Sequence, residues 1–249
     1  MGEIIKDVAY GNEKDQLLDL YLPKNKKDFK TLVFFHGGGL EGGSKEGRED
    51  IFRILQYRGI AVVSANYSLY PKAKYPNFIE DAAQAVSWTF GKILKYGVCN
   101  GIYLGGSSAG AYISMLLCFD RRYLGKYHID PNDLAGYVFD GGQPTTHFNV
   151  LRERGFDIRS VIIDEAAPLY HLRENPTHPP MLIIAAENDI PNRLEQTMLL
   201  RSTLKEFGYK DCKITLKIFK GYSHTGYCCV EDKNIGNAYT QLLYEFLSS

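Results

Sequence analysis

The stretch at residues 105–110 constrains the fold of this chain more than any other part of it. It reads Gly-Gly-Ser-Ser-Ala-Gly, follows a β-forming run and precedes a helical pattern. Counted from Gly106, it is G-x-S-x-G with Ser108 at the centre, a pattern typical of a nucleophile elbow when a strand leads in and a helix leads out. Glycine at Gly106 and Gly110 removes Cβ atoms that would clash across so tight a turn. We therefore expect Ser108 to stand above a β-sheet with its hydroxyl exposed.

The same stretch can also be read as a turn that only joins a strand to a helix, and Ser107 is a second candidate for the exposed serine. Ser107 has glycine two residues before it but Ala109 two residues after it, so the steric argument favours Ser108. The choice between a plain turn and a reactive serine depends on whether the chain also supplies a base and an acid for it.

Apolar runs and helical patterns alternate along the chain. Apolar runs are typical of strands buried on both faces, and they lie at 31–35, 60–65, 101–105, 135–140 and 181–186; the last strand is predicted at 214–219. Helical spacing of apolar residues predicts helices at 46–57, 76–97, 109–118, 192–207 and 234–246. Alternating polar and apolar residues at 3–10 and 16–22 predict an antiparallel pair. Together these elements predict an α/β fold, with a mostly parallel eight-stranded sheet and helices on both faces.

The segment at 141–180 does not fit this simple alternation. A length of 249 residues suits one domain, but this segment is long for a crossover between two strands. Within it, short helices are expected at 157–163 and 167–173. We interpret the segment as a small insertion over the site, which would serve as a lid or a pocket wall.

Four features that could take part in catalysis each follow a predicted parallel strand. They are His-Gly-Gly-Gly at 36–39, Ser108, Asp189 and His224. Because ligands of such sheets bind at the carboxyl ends of the strands, we expect these features to meet there. A Ser…Asp…His order along the chain, with an H-G-G-G loop, is typical of lipases and esterases.

Each feature has a role that its chemistry suggests. A serine hydroxyl is a weak nucleophile at neutral pH, so Ser108 needs a base, and His224 is the candidate. A carboxylate must orient the imidazole and stabilise its protonated form, and Asp189 is the candidate. Backbone N–H groups would bind the oxyanion of a tetrahedral intermediate. Those predicted to do so belong to Gly38, Gly39 and Ala109.

Other acids and histidines compete for these roles. Glu187 and Asp140 are rival acids, although Asp140 ends the wrong strand for the usual chain order. None of the rival histidines follows the last predicted strand; they are His128, His147, His171 and His178. His171 and His178 lack acidic or cysteine partners at metal-binding spacing, so we expect solvated or capping roles for them.

Three further features have structural interpretations. Residues 42–45, Gly-Gly-Ser-Lys, lack the residue order of a phosphate-binding P-loop. His36 is expected to shape its glycine loop rather than to react. Asp81 is expected to form a structural hydrogen bond or ion pair that holds the loop before its helix.

These motifs resemble those of the α/β-hydrolase superfamily. More closely, the chain resembles compact HGGG-type carboxylesterases, which include hormone-sensitive-lipase-like, acetyl-xylan and feruloyl esterase-like enzymes. Residues 66–71, Asn-Tyr-Ser-Leu-Tyr-Pro, look like the N-Y-R-L-A-P loop of that group, and residues 19–23 and 80–82 resemble its second strand and a later helix. Leu40 departs from the usual Trp or Phe, and Ser68 from a frequent Arg.

The resemblance implies an α/β-hydrolase fold and a serine carboxylesterase that needs no metal or organic cofactor. Its substrates would be short-chain or carbohydrate-linked esters with acetyl or aromatic acyl groups. The alternatives are a serine peptidase or arylformamidase with the same triad, and a non-catalytic hydrolase-fold binding protein, which the complete triad disfavours. Pocket walls are predicted at Leu40, Tyr70, Tyr112, Gln143 and Phe148.

Composition narrows the classes of partner. The formal net charge is zero and no basic stripe is visible, so nucleic-acid binding is not expected. No apolar run is long enough to predict a membrane span. The N-terminus lacks an apolar signal sequence, and the five cysteines form no C-x-x-C pair. These features predict a cytoplasmic protein with reduced thiols.

Overall fold

A single sheet of eight strands runs through the structure, a computed structural model that describes residues 2–229 and 237–249. The strands are β1 (Glu3–Ala9), β2 (Leu17–Leu22), β3 (Phe29–Phe35), β4 (Ile60–Ala65), β5 (Cys99–Ser107), β6 (Gly136–Asp140), β7 (Met181–Asn188) and β8 (Ile214–Ser223). Their order across the sheet is β1-β2-β4-β3-β5-β6-β7-β8. Strand β2 is antiparallel to both its neighbours, and the other pairs are parallel. The predicted mostly parallel eight-stranded sheet is confirmed.

Seven α-helices accompany these strands in the described ranges. They are α1 (Glu49–Tyr57), α2 (Asn77–Lys92), α3 (Ala109–Phe119), α4 (Arg121–Gly125), α5 (Phe148–Glu153), α6 (Arg193–Glu206) and α7 (Ala238–Ser248). Two separate apolar clusters lie on the two faces of the sheet. One includes α2 and α3, and the other includes α1 and α7. Burial on both faces explains why the central strands are apolar along their whole length.

Strand register brings the ends of the central strands to one edge of the sheet. Phe35 pairs with Gly106, and Ser107 pairs with Asp140. The residues that follow these strands therefore begin at the same level. Between the neighbouring strands β7 and β8, Asn188 pairs with Ser223. This pairing sets Asp189 and His224 side by side, although 35 positions separate them in the chain.

The segment between β6 and β7 differs from its prediction. Residues 157–163 do not form a helix, and Ile158, Val161 and Ile163 remain exposed, so no apolar face is buried that would stabilise one. A helix that was not predicted, α5, begins earlier, because the side chain of His147 accepts a hydrogen bond from the N–H of Asn149 and caps it. The helix expected at 167–173 is a short 3₁₀ turn at Pro168–His171.

Two other observations bear on the sequence predictions. The closing helix α7 begins at Ala238 in the described part of the chain, whereas the predicted start at 234 lies outside the described residues. Within the described ranges, no helix combines the length and the apolar character that crossing a bilayer would require.

Candidate active site

Ser108 sits in a strained turn between β5 and α3. Its backbone has φ 55° and ψ −113°, a conformation that non-glycine residues rarely adopt. A Cβ atom on Gly106 would lie 2.4 Å from the carbonyl carbon of Gly110. A Cβ atom on Gly110 would lie 2.0 Å from the carbonyl oxygen of Phe35. The steric requirement for glycine at both positions is confirmed.

Gly110→Ala is therefore expected to destabilise the protein by at least about 3 kcal/mol, because the obstructing atoms are backbone atoms of β3 and cannot rotate away. The matched control is Gly91→Ala in α2, where a new Cβ atom would meet nothing within 4 Å. That change is expected to stabilise by about 0.5–1 kcal/mol, because alanine favours the helix. Denaturant unfolding measures both changes. Equal effects of the two substitutions would contradict the steric argument.

The imidazole of His224 contacts both other members of the predicted triad. Its Nδ1 lies 2.6 Å from Oδ1 of Asp189, and its Nε2 lies 2.9 Å from Oγ of Ser108. With Nδ1–H donating to the carboxylate, Nε2 is free to accept the hydroxyl proton of Ser108. The Asp189 side chain is 1% exposed, whereas that of His224 is 25% exposed and open to a substrate. The geometry is that of a nucleophile, a base and an orienting acid.

The surroundings of Asp189 keep it ionised. Burial raises the pKa of Asp189, but the hydrogen bond and the charge interaction with His224 outweigh burial and hold the pKa below its ordinary value. The N–H of Ile190 also donates to this carboxylate, over 2.7 Å. A carboxylate that stays negative at neutral pH can stabilise an imidazolium when His224 takes up a proton.

The three predicted oxyanion donors belong to the residue after Ser108 and to the glycine loop, which approaches the serine at Gly37, where a Cβ atom would lie 3.2 Å from Cβ of Ser108. Among the described residues, the backbone N–H groups of Gly38, Gly39 and Ala109 have no hydrogen-bond acceptor. The first two glycines have φ values of 119° and 66°, which are accessible to glycine at little cost. Asn149 of α5 donates to the carbonyl oxygen of Gly39 over 2.8 Å and so steadies the loop. These free donors at the start of α3 and in the glycine loop can bind a developing negative charge.

The rival acids are engaged elsewhere. Asp140 is completely buried, and its carboxylate accepts hydrogen bonds from the hydroxyl groups of Tyr227 and Tyr239. Burial raises the pKa of Asp140. Glu187 accepts a hydrogen bond from the N–H of Gly221 over 2.8 Å. Because Tyr227 follows His224 by three positions, its bond to Asp140 ties the His224 loop to the end of β6. The sequence predictions did not include this support, although the position of Tyr227 just after His224 was a signal for it.

None of the rival histidines contacts Ser108 or Asp189 in the described part of the chain. His147 caps α5, and His128 is exposed. Nε2 of His171 lies 3.5 Å from Asp120, which is a neighbour that sequence spacing did not reveal. His178 is completely buried, so of the two roles expected for it the solvated one is wrong, and its ring accepts a hydrogen bond from the backbone N–H of Lys210. The buried bond supports the edge of the sheet near β8 instead.

The structural interpretations of three features agree with their contacts. The ring of His36 stacks on Tyr67, whose hydroxyl donates to the carbonyl oxygen of His36 over 2.9 Å. Asp81 accepts hydrogen bonds from Gln16 and from both the N–H and the hydroxyl of Ser68, so it holds the loop before α2. Lys45 is 3% exposed and pairs with three carboxylates, and it is not free to bind phosphate.

A cavity of about 480 Å³ lies next to the candidate active site, and Ile190, the neighbour of Asp189, is part of its wall. Gln143 and Phe148 line it, and Phe148 approaches to 3.1 Å from the point where a Cβ atom of Gly39 would lie. The prediction that Leu40 and Tyr112 wall the pocket is wrong, because both side chains are completely buried in the core. Tyr70 lines a different cavity, beside His36. Among residues 2–229 and 237–249, no cluster of three or more His, Cys, Asp or Glu could hold a metal.

Comparison with known proteins finds similarity to several proteins that are named as hydrolases. Residues 18–136 match the family model BD-FAE. Kynurenine formamidase of Danio rerio is 29% identical over 141 residues, which are 56% of this chain and 46% of that protein. Isoprenylcysteine alpha-carbonyl methylesterase of Arabidopsis thaliana is 33% identical over 114 residues, which are 45% of this chain and 27% of that protein. The chain spans less than half the length of these curated relatives.

Solved structures with the same fold cover nearly the whole chain. The esterase Est2 of Thermogutta terrifontis aligns with 99% of this chain and 91% of its own, with a TM-score of 0.77 and 22% identity. A truncated carbohydrate esterase from gut microbiota aligns with 99% of this chain and 95% of its own, with a TM-score of 0.79 and 18% identity. The sheet order, the serine turn and these structural matches show an α/β-hydrolase fold, within which residues 18–136 match the BD-FAE family model.

Proposed function

We propose that the protein is a serine carboxylesterase in which Ser108, His224 and Asp189 form the catalytic triad. The observation that carries the proposal is that one imidazole bonds to both the buried carboxylate and the serine hydroxyl. The relatives named above as esterases and a methylesterase support the reaction class.

The reaction would proceed through an acyl-enzyme. Oγ of Ser108 attacks the ester carbonyl carbon while Nε2 of His224 takes its proton. The carbonyl oxygen becomes an oxyanion, which the N–H groups of Gly38, Gly39 and Ala109 bind. When the tetrahedral intermediate collapses, the C–O bond to the alcohol breaks and His224 gives the alcohol its proton. A water molecule then repeats the sequence on the acyl-enzyme, which releases the acid and restores the serine.

The size of the adjoining cavity supports a substrate with a modest acyl or alcohol group. Its volume of about 480 Å³ suits an aromatic ring or a short aliphatic chain. We therefore propose short-chain or aromatic acyl esters as substrates, with a sugar as one possible class of alcohol. This class of alcohol is supported by the carbohydrate esterase among the structural neighbours.

Hydrolysis of an amide or formamide is a second candidate, which the similarity to kynurenine formamidase favours. The same triad can cleave either bond, since in both cases the base must return a proton to the leaving group. The alcohol of an ester leaves more readily than an amine, so only the relative rates on matched substrates separate the two activities.

Rates on matched substrates test the proposed function. The wild type is expected to hydrolyse 4-nitrophenyl acetate and butyrate with a higher kcat/KM than the octanoate, in keeping with the proposed short-chain substrates. It is also expected to hydrolyse phenyl acetate faster than acetanilide and formanilide. A higher kcat/KM for formanilide than for phenyl formate would favour the formamidase instead. A fluorophosphonate probe that leaves Ser108 unlabelled would contradict both candidates.

A further inference from the structure

Arg193 is a buried cation that the proposed mechanism does not use. It is the first residue of α6 and is 4% exposed. Its Nη1 donates to the carbonyl oxygen of Gly141, and its Nη2 donates to Oε1 of Gln143 over 3.1 Å. Both acceptors are neutral, and within residues 2–229 and 237–249 no carboxylate lies within 4.0 Å of the guanidinium. A buried charge without an opposite charge is costly, so its presence calls for a reason.

The guanidinium lies beside the candidate active site. Arg193 lines the cavity of about 480 Å³, and its acceptor Gly141 is next to the base, since a Cβ atom on Gly141 would lie 3.1 Å from Cε1 of His224. Phe148 lines the same cavity and touches the glycine loop at Gly39. The lining of the cavity therefore contacts the glycine loop through Phe148 and the neighbourhood of His224 through Arg193 and Gly141.

The cavity has a positive character. The two charged side chains that line it are both arginines, Arg193 and Arg159. Arg159 is 86% exposed and pairs with Asp157 over 2.6 Å, whereas Arg193 has no such partner in the described ranges. Burial, together with the charges of Arg193 and Arg152, lowers the pKa of His147 well below its ordinary value. Asp189 is the nearby acid whose charge reaches Arg193, but its carboxylate is already bound to His224.

We propose that this cavity binds a carboxylate group of the substrate and that Arg193 recognises it. The remaining walls include Phe148, Ile158 and Ile190, so the substrate would combine the carboxylate with an aromatic or aliphatic body. A guanidinium has five N–H donors, of which the two contacts above use two, and the planar fork matches a carboxylate. The inference rests on the proposed function, because the carboxylate would belong to the acyl or the alcohol part of a hydrolysed ester.

A purely structural role is the competing explanation. The bonds from Arg193 to Gly141 and Gln143 tie the start of α6 to the segment after β6, and their loss would slow every substrate alike. The ratio of kcat/KM between a carboxylate-bearing ester and its neutral counterpart cancels such a common loss. A change in this ratio therefore reports recognition of the charge and not the integrity of the fold.

Two substrate pairs distinguish the two possible positions of the carboxylate. For the acyl side, 4-nitrophenyl hydrogen succinate is compared with 4-nitrophenyl pentanoate. For the alcohol side, 4-acetoxybenzoate is compared with 4-methylphenyl acetate. In one of these pairs, Arg193→Gln is expected to lower the ratio of anionic to neutral kcat/KM about tenfold or more, since a charge-assisted hydrogen bond is lost. Arg193→Lys, which keeps the charge without the fork, is expected to lower it less.

Arg159→Gln is the matched control. It removes the same charge from the same cavity, but from an exposed side chain that already has a carboxylate partner. Its expected effect on either ratio is less than about twofold. An unchanged ratio in both pairs for Arg193→Gln would overturn the proposal. An effect of Arg159→Gln as large as that of Arg193→Gln would overturn the assignment to Arg193.

A binding measurement keeps the inference separate from the proposed function. Calorimetry with benzoate, and with benzyl alcohol as the neutral probe, is done on Ser108→Ala and on Ser108→Ala combined with Arg193→Gln. Binding of benzoate that disappears with Arg193→Gln supports the carboxylate site even if no ester is hydrolysed. Equal binding of benzoate in both variants, or no binding in either, overturns it. Absence of hydrolysis and of fluorophosphonate labelling would contradict the proposed esterase function but not the carboxylate site.

Discussion

Ser108→Ala is expected to lower kcat for 4-nitrophenyl acetate by roughly 10⁶-fold, because loss of the nucleophile removes the acyl-enzyme route and leaves only binding and oxyanion stabilisation. The free energy of unfolding should change little, since alanine replaces a side chain that is only partly buried at the same strained backbone position. Steady-state kinetics measure the loss, and mass spectrometry after treatment with a fluorophosphonate identifies the labelled residue.

Ser107→Ala is the control for this experiment. Ser107 is the adjacent serine, and its buried Oγ has no hydrogen-bond partner in the described part of the chain. Its replacement is expected to change kcat by less than about threefold, because the hydroxyl bonds to none of Ser108, His224 and Asp189. If Ser107→Ala abolished activity while Ser108→Ala retained it, the assignment of the nucleophile would be wrong.

Asp189→Asn is expected to lower kcat by about 10⁴-fold. An amide in place of the carboxylate favours the wrong tautomer of His224 and no longer stabilises its protonated form. Glu187→Gln provides the comparison, since Glu187 lies two residues earlier and bonds to Gly221 rather than to the imidazole. That substitution should alter kcat by only a few-fold. A loss as large as that of Asp189→Asn would identify Glu187 as the acid instead.

Asp189→Asn also tests how the free energy of unfolding depends on pH. The pKa of Asp189 is below its ordinary value in the folded protein, so its ionised form stabilises the fold at pH values above the unfolded pKa. This contribution is lost as the pH falls through the lowered pKa. The difference in unfolding free energy between wild type and Asp189→Asn should therefore shrink below about pH 4. A difference that grew with acidity would contradict the direction of the shift.

The local parts of the site could be predicted from the sequence because short-range sterics determine them. Only glycine fits at Gly106 and Gly110, where added Cβ atoms would meet the backbone. Runs of apolar residues predicted the central strands because burial on both faces leaves no place for polar side chains. The resemblance to a known family added the order of serine, acid and histidine. Asp81 was also assigned correctly as a structural residue.

Features that depend on distant contacts could not be predicted in the same way. The exposed apolar residues of 157–163 suggested a helix, but no partner surface buries them, and helix formation needs such packing. Leu40 and Tyr112 were expected at the pocket but lie in the core. The prediction failed because sequence position does not reveal which way a side chain of a loop or helix points. Arg193 escaped notice because its burial is a consequence of the fold of 141–148 against α6.

The sequence by itself determined the sheet, the strained serine turn and the candidates for base and acid, because each depends on neighbouring residues or on periodic burial. The tertiary structure decided which candidates meet. Pairing of Asn188 with Ser223 places Asp189 against His224, while two tyrosines bind the rival Asp140. Register and packing depend on residues that lie tens of positions apart in the chain. Only the aligned strands of the sheet therefore decide which of the two acids contacts His224.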